Sequence, residues 1–375
     1  MKNSLKGQFL KQYFANILNG KTKLHPLHPF SIVLHAISLA YLLIVHTRVF
    51  FYKTGILKTN KLRCPVISVG NLTLGGTGKT PVVEYIVRYF VNKGLKPVIL
   101  SRGYGRDSKT SVAIVSNGDN ILLKSDEAGD EPYLLAENNP TVPILVSKDR
   151  FLGGKAAISK FNPDVIILDD GFQHLSLARD YNITLINCIK PLENSHIFPA
   201  GPLREPISAL KRADMILYTH SDEAPDNCCE NFIKRSDILK LETIHTFDKI
   251  VRMNDQKTVS PEELNKKKVV VFCGIGEPDS FIRKIRQLGA EVVQSETFPD
   301  HYVYKMDNLQ SISETAEKLK ADFILTTQKD GVKIKELMAP LLPIWIVRMK
   351  IKFVKGKDNG EEKFQEMLHS CVMSK

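Results

Sequence analysis

The stretch SVGNLTLGGTGKTP (residues 68–81) decides how the rest of the chain is read. It nearly spells a phosphate-binding loop (a glycine, four residues, then Gly-Lys and Ser or Thr), with Thr73 where the first glycine should stand. The apolar run CPVISVGN (64–71) leads into it. PVVEYIVRYFVNKG (81–94), apolar at helical spacing and closed by Gly94, leads out. Strand, loop and helix in that order turn backbone N–H groups and the positive end of a helix toward phosphate oxygens. Gly75, Gly76 and Gly78, with Thr77 among them, supply the backbone freedom; Lys79 suits the β and γ phosphates and Thr80 a magnesium ion.

A second stretch agrees. VIILDD (165–170) is an apolar strand ending in two carboxylates, the pattern that positions magnesium beside a phosphate loop. Adjacent strand residues point to opposite faces, so Asp169 and Asp170 are expected to differ in role, and either one could instead cap the turn that follows. AGDEPYLLAE (128–137) sets Asp130 and Glu131 before an apolar helix, where they serve either as helix caps or as groups that act on an acceptor hydroxyl. His301, beside Asp300, reads equally as a solvated loop residue or as a partner in such chemistry. TTQKD (326–330) is only a distant approach to the base-reading element of a nucleotide switch.

Outward from the loop, KPVILSRGYG (96–105), TVPILVSKD (141–149), PDVIILDDG (163–171), YNITLINC (181–188) and ADMILYTH (213–220) are strand-like runs, most separated by helix-length spacers. This is an α/β pattern: a P-loop NTPase-like, mostly parallel sheet with covering helices. ILKLETIHTFDKIVRM (238–253) alternates like a connecting ribbon, and residues 266–304 repeat strand, glycine turn, helix and strand. ADFILTTQKDGVKI (321–334) and LPIWIVRMKIKF (342–353) supply further strands. The expected division is a kinase-type domain over 1–225 and a smaller α/β domain over 226–375 that includes the ribbon.

FSIVLHAISLAYLLIV (30–45) predicts an N-terminal apolar helix over about 28–47. The run is shorter than the roughly 20 apolar residues of a spanning helix. Ser31, His35 and Ser38 fall on one narrow stripe, and basic residues flank the run on both sides (Lys11, Lys21 and Lys23; Arg48, Lys53, Lys58, Lys61 and Arg63). Such a helix is expected to lie in an anionic interface, with a buried core helix and a true span as the alternatives. The chain carries 52 basic and 41 acidic residues, a net charge of +11, which attracts acidic partners generally. The basic residues are dispersed rather than interleaved with aromatics, so nucleic acid is not expected as a partner. Six cysteines without a CxxC pair suggest neither zinc nor a disulfide framework, and no cleavable signal peptide stands out.

Taken in order, VGNLTLGGTGKTP, SRGYGR, GDEP, LDDGFQH, FPAGPLREP, FPDH and TTQKD strongly resemble the lipid A 4′-kinase (tetraacyldisaccharide 4′-kinase) family over residues 65–330. The resemblance implies an ATP- and Mg²⁺-dependent lipid kinase that phosphorylates the 4′-hydroxyl of an acylated glucosamine disaccharide phosphate. It implies a place at the cytoplasmic face of the bacterial inner membrane, peripheral or monotopic, with no obligate protein partner. It implies further that Gly75 to Thr80 bind ATP, that Thr80 with Asp169 or Asp170 handles Mg²⁺, and that Asp130 is the catalytic base, paired with His301 across an interdomain cleft. Asn71, Arg102, Arg150, Gln173 and His174 become candidates for the acceptor sugar and its phosphate. The family also accounts for Thr73, since its loop opens with a similar VGN segment. Gln328 and Tyr302 depart from it, where Glu and a second His are the commoner residues.

Overall fold

The computed structural model describes residues 28–103, 110–190, 192, 196–224, 238–335, 337, 343–354 and 359–373. Lys11, Lys21, Lys23, residues 104–106 of the SRGYGR stretch, Cys228, Cys229 and the expected boundary at 225/226 lie outside the described residues.

Helix α1 (Pro29–Lys53) is followed by β1 (Val66–Asn71), α2 (Lys79–Asn92), β2 (Pro97–Ser101) and β3 (Val112–Asn117). Next come the short α3 (Ser125–Ala128), α4 (Asp130–Asn138), β4 (Pro143–Ser147), α5 (Arg150–Phe161), β5 (Val165–Asp169), β6 (Tyr181–Asn187) and β7 (Met215–Thr219). The long β8 (Leu239–Arg252) and the two-residue β9 (Thr258–Val259) lead to β10 (Lys268–Cys273), α6 (Pro278–Gln287), β11 (Glu291–Thr297), α7 (Met306–Lys318) and β12 (Phe323–Thr327). The chain ends with α8 (Gln328–Ile334), β13 (Ile344–Phe353) and α9 (Gly360–Met373). One sheet runs in the order β11-β10-β12-β13-β8-β7-β6-β1-β5-β2-β4-β3, and β9 pairs with β8. Its pairings are parallel except at the β3/β4 edge, the β8/β9 ribbon and the β8/β13 seam.

Both faces of this sheet are covered, which is why its strands read as continuous apolar runs. Along β1, Ile67 and Val69 enter a core with α2, α4 and α9, whereas Val66 enters the opposite core with Ala157 of α5. The FILTT strand and the QKDGVKI helix correct the expectation that ADFILTTQKDGVKI is simply a strand. The side chain of Thr327 accepts from the Asp330 amide and so starts a helix there. Strand β3 and helix α9 were not anticipated. The second carries Phe364, Met367 and Leu368 back into the core of the first half.

Register explains where the site forms. Strand β7 pairs parallel with residues 239–242 of β8, and β13 pairs antiparallel with residues 243–252. The second set of parallel strands therefore lies farther along β8 and runs back toward the first. Their carboxyl ends meet those of the first set across a cleft, and in open α/β sheets that end of a strand is where ligands bind.

Helix α1 runs for 25 residues to Lys53, beyond the expected end near 47, because Thr47, Arg48 and the apolar VFFY (49–52) continue the turn. It is long and apolar enough to cross a membrane by length and composition. Yet its polar stripe faces the protein: Ser31 and Ser38 are buried, the Ser38 hydroxyl donates to Ile197 O (2.9 Å) and accepts from the Ala200 amide, and the Tyr41 hydroxyl donates to Arg204 O (3.0 Å). Ile32, Val33, Ile37, Leu39, Leu43 and Ile44 face outward. A helix docked by its polar side, with its apolar side uncovered, fits peripheral attachment to a membrane.

Candidate active site

The cleft between the two sets of strand ends has a volume of about 830 Å³ and is lined from both sides. The phosphate loop forms its floor. Gly75 and Gly78 take positive φ angles of 99° and 77°, a region that only glycine enters at no cost. Asn71, fully buried at the end of β1, donates through Nδ2 to Thr73 O (2.9 Å) and accepts from Lys79 Nζ (3.2 Å). Thr73 also bridges to Leu203, and the Leu74 amide donates to Pro202 O (2.8 Å). The loop entrance is thus fixed by a side chain and by the FPAGPLREP segment rather than by a glycine, which answers the question Thr73 poses.

The two carboxylates of VIILDD differ as their alternation predicts. Asp170, at a positive φ of 53°, faces Lys79 Nζ (3.3 Å) and Arg204 (2.9 Å). Burial would raise its carboxyl, but Lys79 and Arg204 prevail and hold it well below the usual carboxylate range. Asp169 is buried and accepts from the Ser101 hydroxyl (2.9 Å). Burial, with the charges of Glu131 and Asp170 added, pushes it up to about 6. Asp170 pairs directly with two cations; Asp169 forms no ion pair among the described residues, and Lys79 acts on it only from a distance.

On the upper wall, Gly129 is the N-cap of α4, so Asp130 and Glu131 do not cap the helix by their side chains but reach across the cleft. The Asp130 carboxylate faces His301 Nδ1 (3.6 Å) and Lys333 Nζ (3.8 Å). Burial alone would raise its pKa; His301, Lys333 and Lys329 outweigh burial and keep it below the ordinary value. Lys329 Nζ binds Glu131 (3.1 Å) and Asp300 (3.0 Å) and lies 3.4 Å from His301 Nε2. Gln328 and Asn138 exchange amide hydrogen bonds, and Lys335 pairs with Glu137 (2.7 Å). The TTQKD segment therefore fastens α8 to the GDEP helix. Its Asp330 reads no base: fully buried, it accepts from Gly274 N (3.0 Å), Tyr304 (3.0 Å) and Thr327 (2.6 Å).

The remaining predicted residues separate by what their polar atoms do. Arg102 is exposed at the cleft rim. Arg150 is almost wholly buried and donates to Ser147 O (2.7 Å) and Asp169 O (3.4 Å), so it braces strand ends. Gln173 Nε2 donates to Asn71 O (2.8 Å), and its carbonyl accepts from Arg48 of α1 (2.9 Å). His174 bonds Ser176 (2.9 Å); burial, then Arg150, lowers its pKa to about 4, so it is neutral at pH 7. Asn71 lies beneath the loop rather than among the lining residues. Thr77 is buried and Thr80 lines the cleft.

Two contributors escaped the sequence reading. The GIGE turn brings Gly276 so close to the loop that a Cβ there would lie 2.7 Å from Gly76 N. His245 of β8 sits against Gly78, where an added Cβ would be 2.6 Å from the imidazole, and it stacks on His220 (ring centroids 4.0 Å apart). Both come from the distal half of the chain, and no local motif ties a strand histidine to a loop 167 positions earlier.

The arrangement has a known counterpart. The family model described as tetraacyldisaccharide-1-P 4′-kinase matches residues 30–370. Curated relatives include the tetraacyldisaccharide 4′-kinase of Syntrophus aciditrophicus (strain SB), 38% identical over 353 residues, with 91% of this chain and 94% of that protein covered. That of Geobacter metallireducens is 36% identical, with 87% of this chain and 95% of that protein covered. A crystal structure of LpxK from Aquifex aeolicus, described as an "apo" form in complex with ATP, aligns with a TM-score of 0.72 at 34% identity, covering 90% of this chain and 98% of that one. With the match extending from the apolar helix to the C-terminal helix, the chain belongs to the tetraacyldisaccharide-1-P 4′-kinase family.

Proposed function

We infer that the protein transfers the γ-phosphoryl group of ATP to the 4′-hydroxyl of a tetraacyldisaccharide 1-phosphate, a step of lipid A biosynthesis. The observation that carries this reading is that the Lys79–Asp170 floor and the Asp130–His301 wall line one cleft, which the apolar helix α1 borders through Tyr41 and Arg48. An acceptor held at the bilayer surface by its acyl chains meets the nucleotide there.

In this mechanism the loop from Gly75 to Thr80 cradles the ATP phosphates and Lys79 leaves Asp170 for them. The ionised Asp130 accepts a hydrogen bond from the 4′-hydroxyl and takes its proton as the oxygen–phosphorus bond forms and the bond to the β-phosphate oxygen breaks, leaving ADP. His301 orients that carboxylate. A base with a lowered pKa is a weak one, but the loose transition state of phosphoryl transfer asks mainly for position and charge neutralisation. Among the described residues no group of three or more His, Cys, Asp or Glu forms a metal cage. The donor set instead suits magnesium, which is usually bound by one or two carboxylates plus substrate phosphates. Asp169, buried without an ion-pair partner among the described residues, and the Thr80 hydroxyl would hold it, and when bound the ion would neutralise charge on the phosphate oxygens. Arg102, Gln173 and His174 stay proposed acceptor contacts at the rim. Arg150 and Asn71 would act by holding the strand ends and the loop. The proposed division into 1–225 and 226–375 puts base and orienting histidine on opposite sides of a closing cleft.

The test is transfer of labelled γ-phosphate to the lipid A disaccharide 1-phosphate in mixed micelles. Label in the lipid supports the reading. ATP turnover or binding without labelled lipid sinks it and points to a soluble acceptor. The attachment to an anionic inner-membrane surface, proposed here for its cytoplasmic face, is checked separately. Replacing Leu39 and Leu43, each 68% exposed, by Asp removes apolar burial of about 1.5–3 kcal/mol per side chain. Binding to anionic vesicles in flotation should fall by about 100-fold or more, while phosphorylation of a detergent-dispersed acceptor persists; undiminished flotation would refute an interfacial α1.

A further inference from the structure

Lys333 has no part in the mechanism above, yet its surroundings are unusual for a lysine. It sits on α8, its side chain is 7% exposed, and its ammonium is buried with no hydrogen-bond partner among the described residues. Two carboxylates flank it: Asp130 Oδ2 at 3.8 Å and Asp330 Oδ1 at 3.6 Å. Asp330 is immobilised by Gly274, Tyr304 and Thr327, so it can anchor the ammonium, while Asp130 belongs to the opposite side of the cleft. Desolvating an ammonium is costly, and a structural lysine in this place would be expected to close one of these pairs to bonding distance. Both remain slightly open, so the charge is shared.

We propose that Lys333 is a positioning residue for phosphoryl transfer: its ammonium, anchored on Asp330, holds the Asp130 carboxylate ionised and aimed at the acceptor hydroxyl. The inference rests on Asp130 being the base. Asp130 is faced by His301 from the loop after β11 and by Lys333 and Lys329 from α8; Lys329 is itself neutralised by Glu131 and Asp300. His301 is charged only when protonated, and Lys329 is spent on other carboxylates. Among the described residues Lys333 is thus the permanent cation nearest to Asp130, with Lys329 adding a more distant charge whose ammonium is paired elsewhere.

The experiment compares Lys333→Met and Lys333→Arg with wild type and Asp130→Asn, measuring kcat, KM for ATP and the pH dependence of kcat/KM on the micellar acceptor. Lys333→Met should lower kcat by about 30-fold or more, as misplacement of a catalytic group does, and leave KM for ATP within about twofold. Its acidic limb should move up by about one pH unit, since an opposite charge at this range lowers a carboxyl pKa by about 1–3 units. Lys333→Arg keeps the charge and should keep the wild-type limb with partial kcat. Adding Lys333→Met to Asp130→Asn should cost nothing further. An unmoved acidic limb in Lys333→Met, or additive losses in the double variant, would overturn the proposal. If Lys333→Met melts before assay, Lys333→Arg decides: a limb displaced despite the retained charge overturns it, and a wild-type limb with reduced kcat upholds it. Wild type that labels no lipid would instead remove the underlying reading of Asp130.

Discussion

Asp130→Asn is expected to reduce kcat by about 10³-fold, the central part of the range that a positioned proton acceptor contributes, with ATP affinity within about twofold of wild type. The side chain stays isosteric, so its contacts to His301 and Lys333 change in charge and not in bulk. On the proposed mechanism, what is lost is an acceptor for the 4′-hydroxyl proton. Because His301, Lys333 and Lys329 hold the Asp130 carboxyl below the ordinary range against burial, Asp130 itself should stay in its working form at acidic pH until that lowered pKa is crossed. The sign is fixed: a depressed carboxylate is in its working form above its pKa and fails only as pH falls through it. His301→Ala should be milder, about tenfold to 100-fold, and should move the acidic limb upward, since a partner that favours the ionised form is gone. Isothermal titration with ATP alongside the labelled-lipid assay separates the outcomes. Equal loss of ATP binding and turnover in Asp130→Asn would mean that the residue supports the nucleotide rather than the acceptor.

The contrast between what could and could not be read from the chain follows from contact range. The phosphate loop, the VIILDD strand and most of the parallel strands were legible because each is a local pattern: an apolar run closed by glycine or by carboxylates at the strand's end. The edge strand β3 was missed because its pairing with β4 is what stabilises it, and α9 because its apolar positions make sense only once they meet Val87 and Phe90 of α2 in the same core. At the site, Asp130 and His301 were each ambiguous from the residues alone. Only the reversal of the second set of parallel strands about β8 brings them to 3.6 Å, and only the family resemblance pairs them from the sequence. TTQKD shows the opposite hazard. Its spelling only distantly approaches a base-reading element, and in the fold Asp330 is consumed by buried hydrogen bonds while the lysines at 329 and 333 reach back to the GDEP helix. The polar stripe of α1 was read correctly as one face, but the direction that face takes depends on Ile197, Ala200 and Arg204, some 160 residues on.

Lys79→Ala should be as damaging as the loss of Asp130 but in a different parameter. Lys79 holds its ammonium between Asp170 (3.3 Å) and Asn71 (3.2 Å), with Glu131 also within electrostatic reach. On the proposed mechanism, removing it takes away the loop's charged donor to the phosphates, and deletion of one such preorganised group costs about 10²–10³ in rate. It also leaves a partly buried Asp170 with Arg204 as its main counter-charge. We expect kcat/KM for ATP to fall by about 10³-fold or more and ATP affinity by at least about tenfold. A lowered carboxyl contributes stability that is present above its unfolded pKa and lost as pH falls through the folded value. Losing Lys79 raises that folded value, so the melting temperature at pH 7 should drop, and its decline on acidification should begin at a higher pH than in wild type. Asp170→Asn provides the discriminating control. If the ammonium must abandon Asp170 to reach ATP, neutralising Asp170 should leave ATP affinity equal or tighter while turnover still falls. If Asp170→Asn instead weakens ATP binding as much as Lys79→Ala does, the pair acts as one structural unit and the proposed handover of the lysine from carboxylate to phosphate is wrong.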